Sequence, residues 1–282
     1  MARRPSCRVG LAVDTSWPIP NLSVQSQLEG WPVRAPFDVS GKRVVVTGAA
    51  RGIGLAVAAA FAKADADVAM LDRDDLVIES AAALAVDTGR AVTGRRCDIT
   101  DRADIYGTMG SLGPIDVLVN NAGVGWKTPV DGPRDEVDMV FEQVIDINLN
   151  GHFYVTRAAL PAMGRGGRVI FTASIWGKAA GAEYAAYCAA KHGIIGLVRS
   201  LAHELGPRGI TVNAICPGTI RTELNEKHIT KEARDLVLAS MVINRGWIEP
   251  DELAPFYLFL ATDAAKDITG QAYNYDRGQV MA

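Results

Sequence analysis

The apolar positions of this chain fall into short continuous runs, separated by longer segments with helical spacing. Two examples are Arg43-Val44-Val45-Val46-Thr47 and Val117-Leu118-Val119, which are rich in β-branched residues and are followed by glycine or asparagine. Runs of this kind are typical of strands buried on both faces of a parallel sheet. They predict strands at 43–47, 67–71, 92–97, 117–119, 168–172, 210–215 and 271–275.

The segments between these runs have the alanine content and spacing of helices. They predict helices at 52–64, 75–86, 101–109, 136–162, 185–205 and 251–260, whereas 219–246 gives no clear strand. Strict alternation of strand and helix predicts a parallel sheet covered by helices on both faces. Because no internal repeat or linker interrupts the pattern, we expect an α/β fold, a doubly wound parallel sheet in a single domain.

The first part of the chain departs from this pattern. Residues 1–36 are proline-rich and aperiodic, with Trp17 and Trp31 among polar residues. Such composition favours an irregular N-terminal arm. We therefore divide the chain into an arm at 1–36 and a catalytic domain at 37–282.

Composition and charge narrow the classes of function. The chain has 282 residues, 49% of them hydrophobic, and a net charge of −3. Binding to nucleic acid or to an anionic membrane surface needs a clustered basic face, which the sequence lacks. No run of eighteen apolar residues occurs, so no membrane span is predicted. The four cysteines form no CxxC pair and no metal-ligand spacing, so we expect free thiols, a cytoplasmic location and no metal site.

A glycine-rich motif follows the first predicted strand. Thr47-Gly48-Ala49-Ala50-Arg51-Gly52-Ile53-Gly54 lies between a strand and a helix, which is the context that a dinucleotide fingerprint requires. Glycines allow a tight turn and close approach to a pyrophosphate, and a helix N-terminus supplies unpaired N–H groups. The alternative is an ordinary strand–helix turn.

Two further motifs follow the second and fourth predicted strands. Asp72 stands 24 positions after Gly48, near the ~20-residue offset at which an acidic residue binds the adenosine ribose of NAD. Its alternative role is to cap the next helix. Asn120-Asn121-Ala122-Gly123 lies where ligands bind in parallel sheets, although asparagine is also a common turn residue.

The chemistry-bearing residues come later in the chain. Tyr187 and Lys191 are four positions apart on a predicted helix and therefore share one face. A nearby ammonium favours the phenolate and lowers the pKa of a tyrosine, so the pair can move a proton to or from an alcohol oxygen. Ser174, thirteen positions before Tyr187, follows a strand at the same edge. Tyrosine and lysine at this spacing also occur by chance.

Taken together, these motifs resemble those of the classical short-chain dehydrogenase/reductase family. TGxxxGIG, NNAG, a mid-helix asparagine at Asn148, a serine, YxxxK and Pro217-Gly218 with Thr222 occur in the family order, over the chain from about Val39 onward. The resemblance implies a Rossmann-like sheet of about seven strands, a nicotinamide cofactor and a homotetramer or homodimer. It implies that Asn148 belongs to a water-linked proton relay, although a helix bend with a bound water is the simpler interpretation.

The resemblance also assigns roles to individual residues. Tyr187 would be the acid–base, Ser174 would orient the substrate, and Lys191 would lower the Tyr187 pKa and bond the nicotinamide ribose. Cofactor-binding residues are expected at Gly48, Arg51, Gly52, Ile53, Gly54, Asp72, Asp98, Ile99, Asn121, Ala122, Gly123, Tyr187, Lys191, Pro217, Gly218, Ile220 and Thr222. The family commonly has Asp-Gly-Gly where this chain has Asp276-Arg277-Gly278, so a left-handed backbone at Arg277 would cost roughly 1 kcal/mol.

The sequence therefore predicts an NAD-dependent alcohol dehydrogenase or carbonyl reductase with a small-molecule substrate. Trp126 and Trp176 both follow strands at the ligand edge, so we expect at least one of them to line the substrate cavity. One alternative is an NADPH-dependent reductase of the 3-oxoacyl type, with Arg51 and Arg73 binding the 2′-phosphate. Another is a nucleotide-binding relic without turnover.

Overall fold

The computed structural model of the chain describes residues 37–222 and 230–282. The predicted arm at 1–36 lies outside these residues. Apolar, β-branched runs form strands at the predicted places, with ends shifted by a few residues. The strands are β1 Arg43–Thr47, β2 Asp67–Asp72, β3 Val92–Arg96, β4 Ile115–Asn120, β5 Met163–Thr172, β6 Thr211–Pro217 and β7 Ala272–Tyr275.

All seven strands form one parallel sheet in the order β3-β2-β1-β4-β5-β6-β7. From β1 the chain adds β2 and β3 toward one edge of the sheet, and it then adds β4 to β7 toward the other edge. The carboxyl ends of β1 and β4 therefore meet at a switch point, where open α/β sheets bind ligands. This confirms the predicted α/β fold and its Rossmann-like doubly wound sheet.

Helices connect the strands. They are α1 Gly52–Lys63, α2 Leu76–Thr88, α3 Arg102–Gly110, α4 Arg134–Ile145, α5 Gly151–Ala159, α6 Ala185–Leu205, α7 Lys231–Ser240 and α8 Pro250–Ala261. One face of the sheet packs on α1, α2 and α8, and the other on α3, α5 and α6. The central strands are apolar on both faces because both faces are covered.

The predicted helical stretch at 136–162 is continuous in the structure, but it is not a uniform α-helix. It contains α4, a π-helical turn at Asp146–Asn150 that includes Asn148, α5 and a final 3₁₀ turn at Leu160–Ala162. A π-helical turn inside a helix is frequent at functional sites. The physical reason here is that the buried Asn148 side chain forms hydrogen bonds with the main chain of Val144 in its own helix and of Val124 outside it.

Two other elements differ from the sequence expectation. Helix α7 lies inside 219–246, where no regular element was assigned. Strand β5 begins at Met163, five residues before the predicted start, because Met163 pairs with Ile115 across an irregular register. Within the described residues, no helix is long and apolar enough to cross a membrane.

Candidate active site

The glycine-rich turn between β1 and α1 packs directly on the turn that follows β4. Gly48 has a φ of +64°, and a Cβ there would lie 2.6 Å from the Cα of Ala122. A Cβ on Gly54 would lie 2.1 Å from the Gly48 carbonyl oxygen. Both positions therefore require glycine, which explains two residues of the motif by packing and backbone geometry.

The start of α1 is suited to an anion. Arg51 occupies the capping position, and its side chain has no acceptor for the N–H groups of the first turn. That turn also contains no acidic residue. Its N–H groups and the positive end of the helix dipole are therefore available to a pyrophosphate. A Cβ on Gly52 would lie 3.5 Å from the Thr222 side chain. The residues that follow β6 therefore pack against the start of α1.

A hydrogen-bond network holds the Asn121-Ala122-Gly123 turn against β1. The Thr47 hydroxyl accepts from the main-chain N–H groups of Asn121 and Ala122 at 3.0 and 3.2 Å. The Asn121 side chain donates to the carbonyls of Thr47 and Gly48, both at 3.1 Å, and accepts from the Thr172 hydroxyl. The asparagine is thus a link between the β1, β4 and β5 ends rather than an ordinary turn residue.

Acidic side chains are fixed at the ends of β2 and β3. Asp72 accepts from the main-chain N–H groups of Ala50 and Asp74, each at 3.0 Å. Asp98 accepts from the N–H and hydroxyl of Thr100 at 2.9 and 2.8 Å. Both carboxylates lie at the ligand edge, and the Asp72 bond to Ala50 ties the end of β2 to the glycine-rich turn.

The three chemistry-bearing residues meet beyond β5. Lys191 is 3% exposed, and its ammonium donates to the Thr172 carbonyl at 2.9 Å. The same nitrogen lies 5.6 Å from the centroid of the half-buried Tyr187 ring. The Ser174 hydroxyl accepts from the Trp176 N–H at 3.1 Å, and Ser174 is near enough to the Tyr187 phenol to lower its pKa. The structure therefore brings Ser174, Tyr187 and Lys191 together.

The pKa of Tyr187 differs from the sequence expectation, which was downward. Burial raises the pKa of the phenol, and Ser174 only partly opposes that shift. Lys191 does not lower the phenol pKa, because its own pKa of about 8 leaves it neutral at the higher pH where the phenol ionises. Among the chain's own groups, Tyr187 is therefore held as a neutral phenol, the form that donates a proton to a carbonyl oxygen.

Lys191 is perturbed in the opposite sense. Burial lowers the pKa of its ammonium from the ordinary 10.5 to about 8. The buried charge also helps to lower the pKa of His152, behind the site, to about 3, although burial is the larger cause. His152 is therefore neutral, and its Nε2 bonds the Ala122 carbonyl at 2.6 Å.

Asn148 sits behind the Gly123 turn rather than in the open site. Its Nδ2 donates to the carbonyls of Val124 and Val144 at 2.9 and 3.0 Å, and its Oδ1 accepts from the Val124 N–H at 3.2 Å. A Cβ on Gly123 would lie 2.7 Å from this Oδ1 and 3.6 Å from the Lys191 nitrogen. Both side-chain donors are committed, so this side chain fixes the segment that faces Lys191.

The two tryptophans occupy different parts of the edge. The Trp176 ring meets Tyr187 edge to face at 5.9 Å and packs on Tyr184 at 4.8 Å. Trp126 instead lines a cavity of about 220 Å³ together with Arg73 and Thr100, which follow β2 and β3 in the chain. Trp176 is therefore beside Tyr187, and Trp126 is on the side of the edge where Arg73 and Thr100 stand.

The remaining predicted residues lie along the same edge. Pro217 ends β6, and the Gly218 N–H donates to the Tyr275 carbonyl at 3.0 Å. Ile99 and Ile220 are buried beneath the edge. Sequence reasoning assigned no site role to three supporting side chains, His152, Thr172 and Tyr257. The Tyr257 hydroxyl hydrogen-bonds the Thr172 hydroxyl at 2.8 Å. Thr47 begins the glycine motif, but only the fold brings the other three side chains to it.

This arrangement defines an α/β nucleotide-binding oxidoreductase. The glycine-rich turn, the α1 N-terminus and the fixed carboxylates fit a nicotinamide dinucleotide, and the serine, tyrosine and lysine stand at the other end of the same edge. A family model described as enoyl-(acyl carrier protein) reductase matches residues 48–279. The chain belongs to the short-chain dehydrogenase/reductase family, as its motifs predicted.

Known relatives span nearly the same length. D-beta-hydroxybutyrate dehydrogenase of Cupriavidus necator is 35% identical over 260 residues, covering 86% of this chain and 99% of the relative. A 3-oxoacyl-(acyl-carrier-protein) reductase of Rickettsia conorii is 32% identical and covers 87% and 99%. The crystal structure of a gluconate 5-dehydrogenase from Beutenbergia cavernae, described as putative and NAD(P) dependent and with NADP bound at low occupancy, superposes with a TM-score of 0.79. It is 32% identical and covers 86% and 98%.

Proposed function

We propose that this oxidoreductase is an NAD-dependent alcohol dehydrogenase or carbonyl reductase, with Tyr187 as its acid–base. The observation that carries the proposal is that the Lys191 ammonium lies 5.6 Å from the centroid of the Tyr187 ring, with Ser174 near enough to the phenol to lower its pKa. All three residues lie on the sheet edge that holds the glycine-rich turn. The bound nicotinamide supplies the hydride chemistry.

Each residue then has a separable task. Tyr187 gives the proton to a carbonyl oxygen, or takes it from an alcohol, while Ser174 donates a hydrogen bond to the same oxygen. Lys191 bonds the nicotinamide ribose and keeps a positive charge beside the phenol. Asn148 serves the proton relay through its main chain, since its side-chain donors bond Val124 and Val144.

The preference for NAD is argued from Asp72 and its surroundings. A 2′-phosphate carries about −1.5 to −2 charges and would approach a carboxylate that two main-chain N–H groups hold in place. The Arg51 guanidinium, which would have to neutralise that phosphate, already forms an ion pair with Asp74. Arg73 is the remaining candidate for a phosphate contact, and it follows Asp72 directly.

The alternative is an NADPH-dependent reductase of 3-oxoacyl substrates. It is favoured by the similarity to the Rickettsia enzyme and by the NADP in the Beutenbergia structure. In that case Arg51 exchanges Asp74 for the phosphate when the nucleotide binds. The preferred cofactor would then be NADPH, and the substrate would be a 3-oxoacyl group.

We also propose a cytoplasmic homotetramer or homodimer that acts on a small alcohol or ketone. The three described cysteines, Cys97, Cys188 and Cys216, are free and buried, as suits a reducing compartment. An apolar or ring-bearing substrate would lie against Trp176, beside Tyr187. Trp126 would then contribute at the adenosine side or at the far wall of the substrate.

The test is cofactor absorbance over a panel of polyols, hydroxy acids, 3-hydroxyacyl thioesters, cyclic ketones and steroids, with NAD and NADP separately. Tyr187→Phe should lower kcat by about 10²–10⁴-fold with little change in NAD affinity. Tyr106→Phe makes the same change on an exposed ring of α3 and should be neutral. A Tyr187→Phe loss below tenfold, or nucleotide binding without turnover on any substrate, overturns the proposal.

A further inference from the structure

Helix α6, which carries Tyr187, lies wholly within the described residues and begins without a capping side chain of its own. Tyr184 occupies the capping position, and its side chain does not cap the first turn. The Tyr184 carbonyl accepts from the Cys188 N–H at 2.9 Å, which is the ordinary first bond of a helix. The N–H groups of Ala185, Ala186 and Tyr187 therefore need partners from outside the helix.

Thr128 supplies one of these acceptors from a distant part of the chain. Its hydroxyl accepts from the Ala186 N–H at 3.1 Å. Ala186 is the second residue of α6, and a capping side chain ordinarily accepts from the N–H at this position or the next. Thr128 is 2% exposed and Ala186 is fully buried, so water has little access to replace that hydroxyl. The threonine therefore caps α6 from outside the helix.

Main-chain contacts fix the threonine at this point. The Thr128 N–H donates to the Glu183 carbonyl at 2.6 Å, and Thr128 forms an isolated parallel bridge with Tyr184. Glu183 has a φ of 67°, a left-handed backbone that is unfavourable for a residue with a Cβ and persists only where its surroundings hold it. Beside it, the exposed Lys127 ammonium pairs with the Glu183 carboxylate at 2.6 Å. Thr128 is thus bound to the entry of α6 through both its main chain and its hydroxyl.

The segment that ends at Thr128 also passes the Tyr187 ring. A Cβ on Gly125 would lie 4.0 Å from the Tyr187 Cε2, which is an ordinary contact distance. Val124, at the start of the same segment, is held by the Asn148 side chain through both its N–H and its carbonyl. The residues from Val124 to Thr128 therefore connect the Asn148 side chain to the first turn of α6, with the Tyr187 ring alongside them.

We propose that Thr128 is a positioning residue for Tyr187. Its hydroxyl holds the first turn of α6, in which Tyr187 is the third residue, and it takes no part in proton or hydride transfer. Lys191 stands one turn further along α6, where the helix satisfies its own N–H groups, so its place depends much less on the cap. Loss of the hydroxyl should therefore impair turnover and leave nucleotide binding nearly intact. The effect on turnover rests on the proposed function of Tyr187 as acid–base.

The variant is Thr128→Val, which keeps the shape of the side chain and removes the acceptor. We expect kcat to fall at least about threefold, because a small displacement of a reacting group is costly in rate, while the Kd for NAD changes less than about twofold. Thr128→Ser keeps a hydroxyl on the same carbon and should retain the wild-type kcat. Thr88→Val is the matched control, since the Thr88 hydroxyl accepts from the Arg90 N–H at 3.3 Å at the end of α2, and it should leave kcat unchanged.

A double variant shows whether Thr128 acts through Tyr187. Because Tyr187→Phe already removes the phenol, adding Thr128→Val should lower the remaining rate less than about twofold. An equal loss of kcat in both backgrounds would show a general structural effect and would overturn the proposal. An unchanged kcat in Thr128→Val, a loss in Thr128→Ser as large as in Thr128→Val, or a parallel loss of NAD affinity would overturn it as well. Thr128→Ala takes the place of the valine variant in these comparisons if the latter does not fold.

Hydrogen exchange distinguishes failure of this proposal from failure of the proposed function. The Ala186 and Tyr187 amides should exchange about twofold to thirtyfold faster in Thr128→Val than in the wild-type chain, which is the change in local opening expected when a helix loses its cap. They should keep the wild-type rate in Thr128→Ser. Unchanged exchange in Thr128→Val contradicts the positioning role, whether or not a substrate is known. If exchange rises as expected but the wild-type chain turns over no alcohol or ketone, the proposed function fails and Thr128 still holds Tyr187 in the first turn of α6.

Discussion

Replacing Lys191 with methionine should separate the cost of its buried charge from its use in catalysis. The ammonium is 3% exposed and bonds one main-chain carbonyl, that of Thr172. A buried charge with so few partners opposes folding unless it loses its proton. Burial lowers the pKa of Lys191 from 10.5 to about 8 for this reason.

The magnitude follows from the two pKa values. A difference of about 2.5 pKa units corresponds to roughly 3 kcal/mol. Below pH 8 Lys191 is protonated in the folded and unfolded chains, so the full cost is present. Between about pH 8 and 10.5 the unfolded chain binds more protons than the folded chain, so stability rises with pH at about 1.4 kcal/mol per unit.

The assay is urea unfolding of the wild type and Lys191→Met from pH 7 to 9.5. We expect the wild type to gain about 1 kcal/mol or more, relative to the variant, between pH 7 and pH 9. Lys63→Met, which changes a side chain that is 65% exposed, should track the wild type at every pH. Lys191→Met should also lose turnover and NAD affinity, because the proposed function assigns both tasks to this ammonium.

If the free energy of unfolding changes with pH in the same way for the wild type and Lys191→Met, the reasoning is refuted, since the ammonium is then not desolvated. A divergence in the opposite sense would show that a negative group stabilises the charge. Loss of turnover with unchanged NAD affinity would separate the two tasks assigned to this residue.

Three further predictions concern the cofactor, the substrate and the arm. The wild-type chain should prefer NAD over NADP by at least about tenfold in kcat/KM, and Asp72→Ser should narrow or reverse that ratio because one anion facing the phosphate is removed. Wild-type use of both cofactors would contradict this. Trp176→Ala should raise KM for the true substrate about threefold or more through the lost aromatic contact, and unchanged KM in both Trp176→Ala and Trp126→Ala would defeat the assignment. A chain that begins at Pro36 should fold and bind NAD, because the proline-rich, aperiodic composition of residues 1–36 favours a segment that contributes little to a core; insolubility would contradict it.

The strands were predictable because each is an apolar run with a sharp end. Val44-Val45-Val46 and Val117-Leu118-Val119 have no polar residue to place on a solvated face, so only a sheet covered on both sides accommodates them. The strand ends carry the glycine, asparagine and serine motifs. Parallel topology then brings those motifs to one edge, which is why much of the candidate site was evident from sequence.

What sequence missed depends on contacts between distant segments. The π-helical turn at Asn148 is set by bonds to Val124, 24 residues away, and nothing in the local periodicity of 136–162 records them. Helix α7 has its charged residues in the first half and its apolar residues together in the second, so the sequence KEARDLVLAS shows no run typical of a buried element. The Tyr187 pKa depends on how deeply the fold buries the phenol, which the spacing to Lys191 does not determine.

Two residues of this chain are unfavourable where they stand: Lys191 is a buried cation, and Arg277 has a left-handed backbone. Their neighbours show which of the two needs a functional explanation. Arg277 adopts a φ of 54°, where a glycine is usual, at a cost of about 1 kcal/mol. Its guanidinium offsets that cost locally, because it bonds the Gly246 carbonyl at 2.5 Å and the Glu252 carboxylate at 2.8 and 2.9 Å. Within residues 37–222 and 230–282, Lys191 has no comparable set of partners, and no carboxylate contributes to its pKa. A buried cation whose folding cost is not offset by its described neighbours needs an explanation, and the proposed bond to the nicotinamide ribose supplies one. Arg277 needs none, because its own contacts offset its strain.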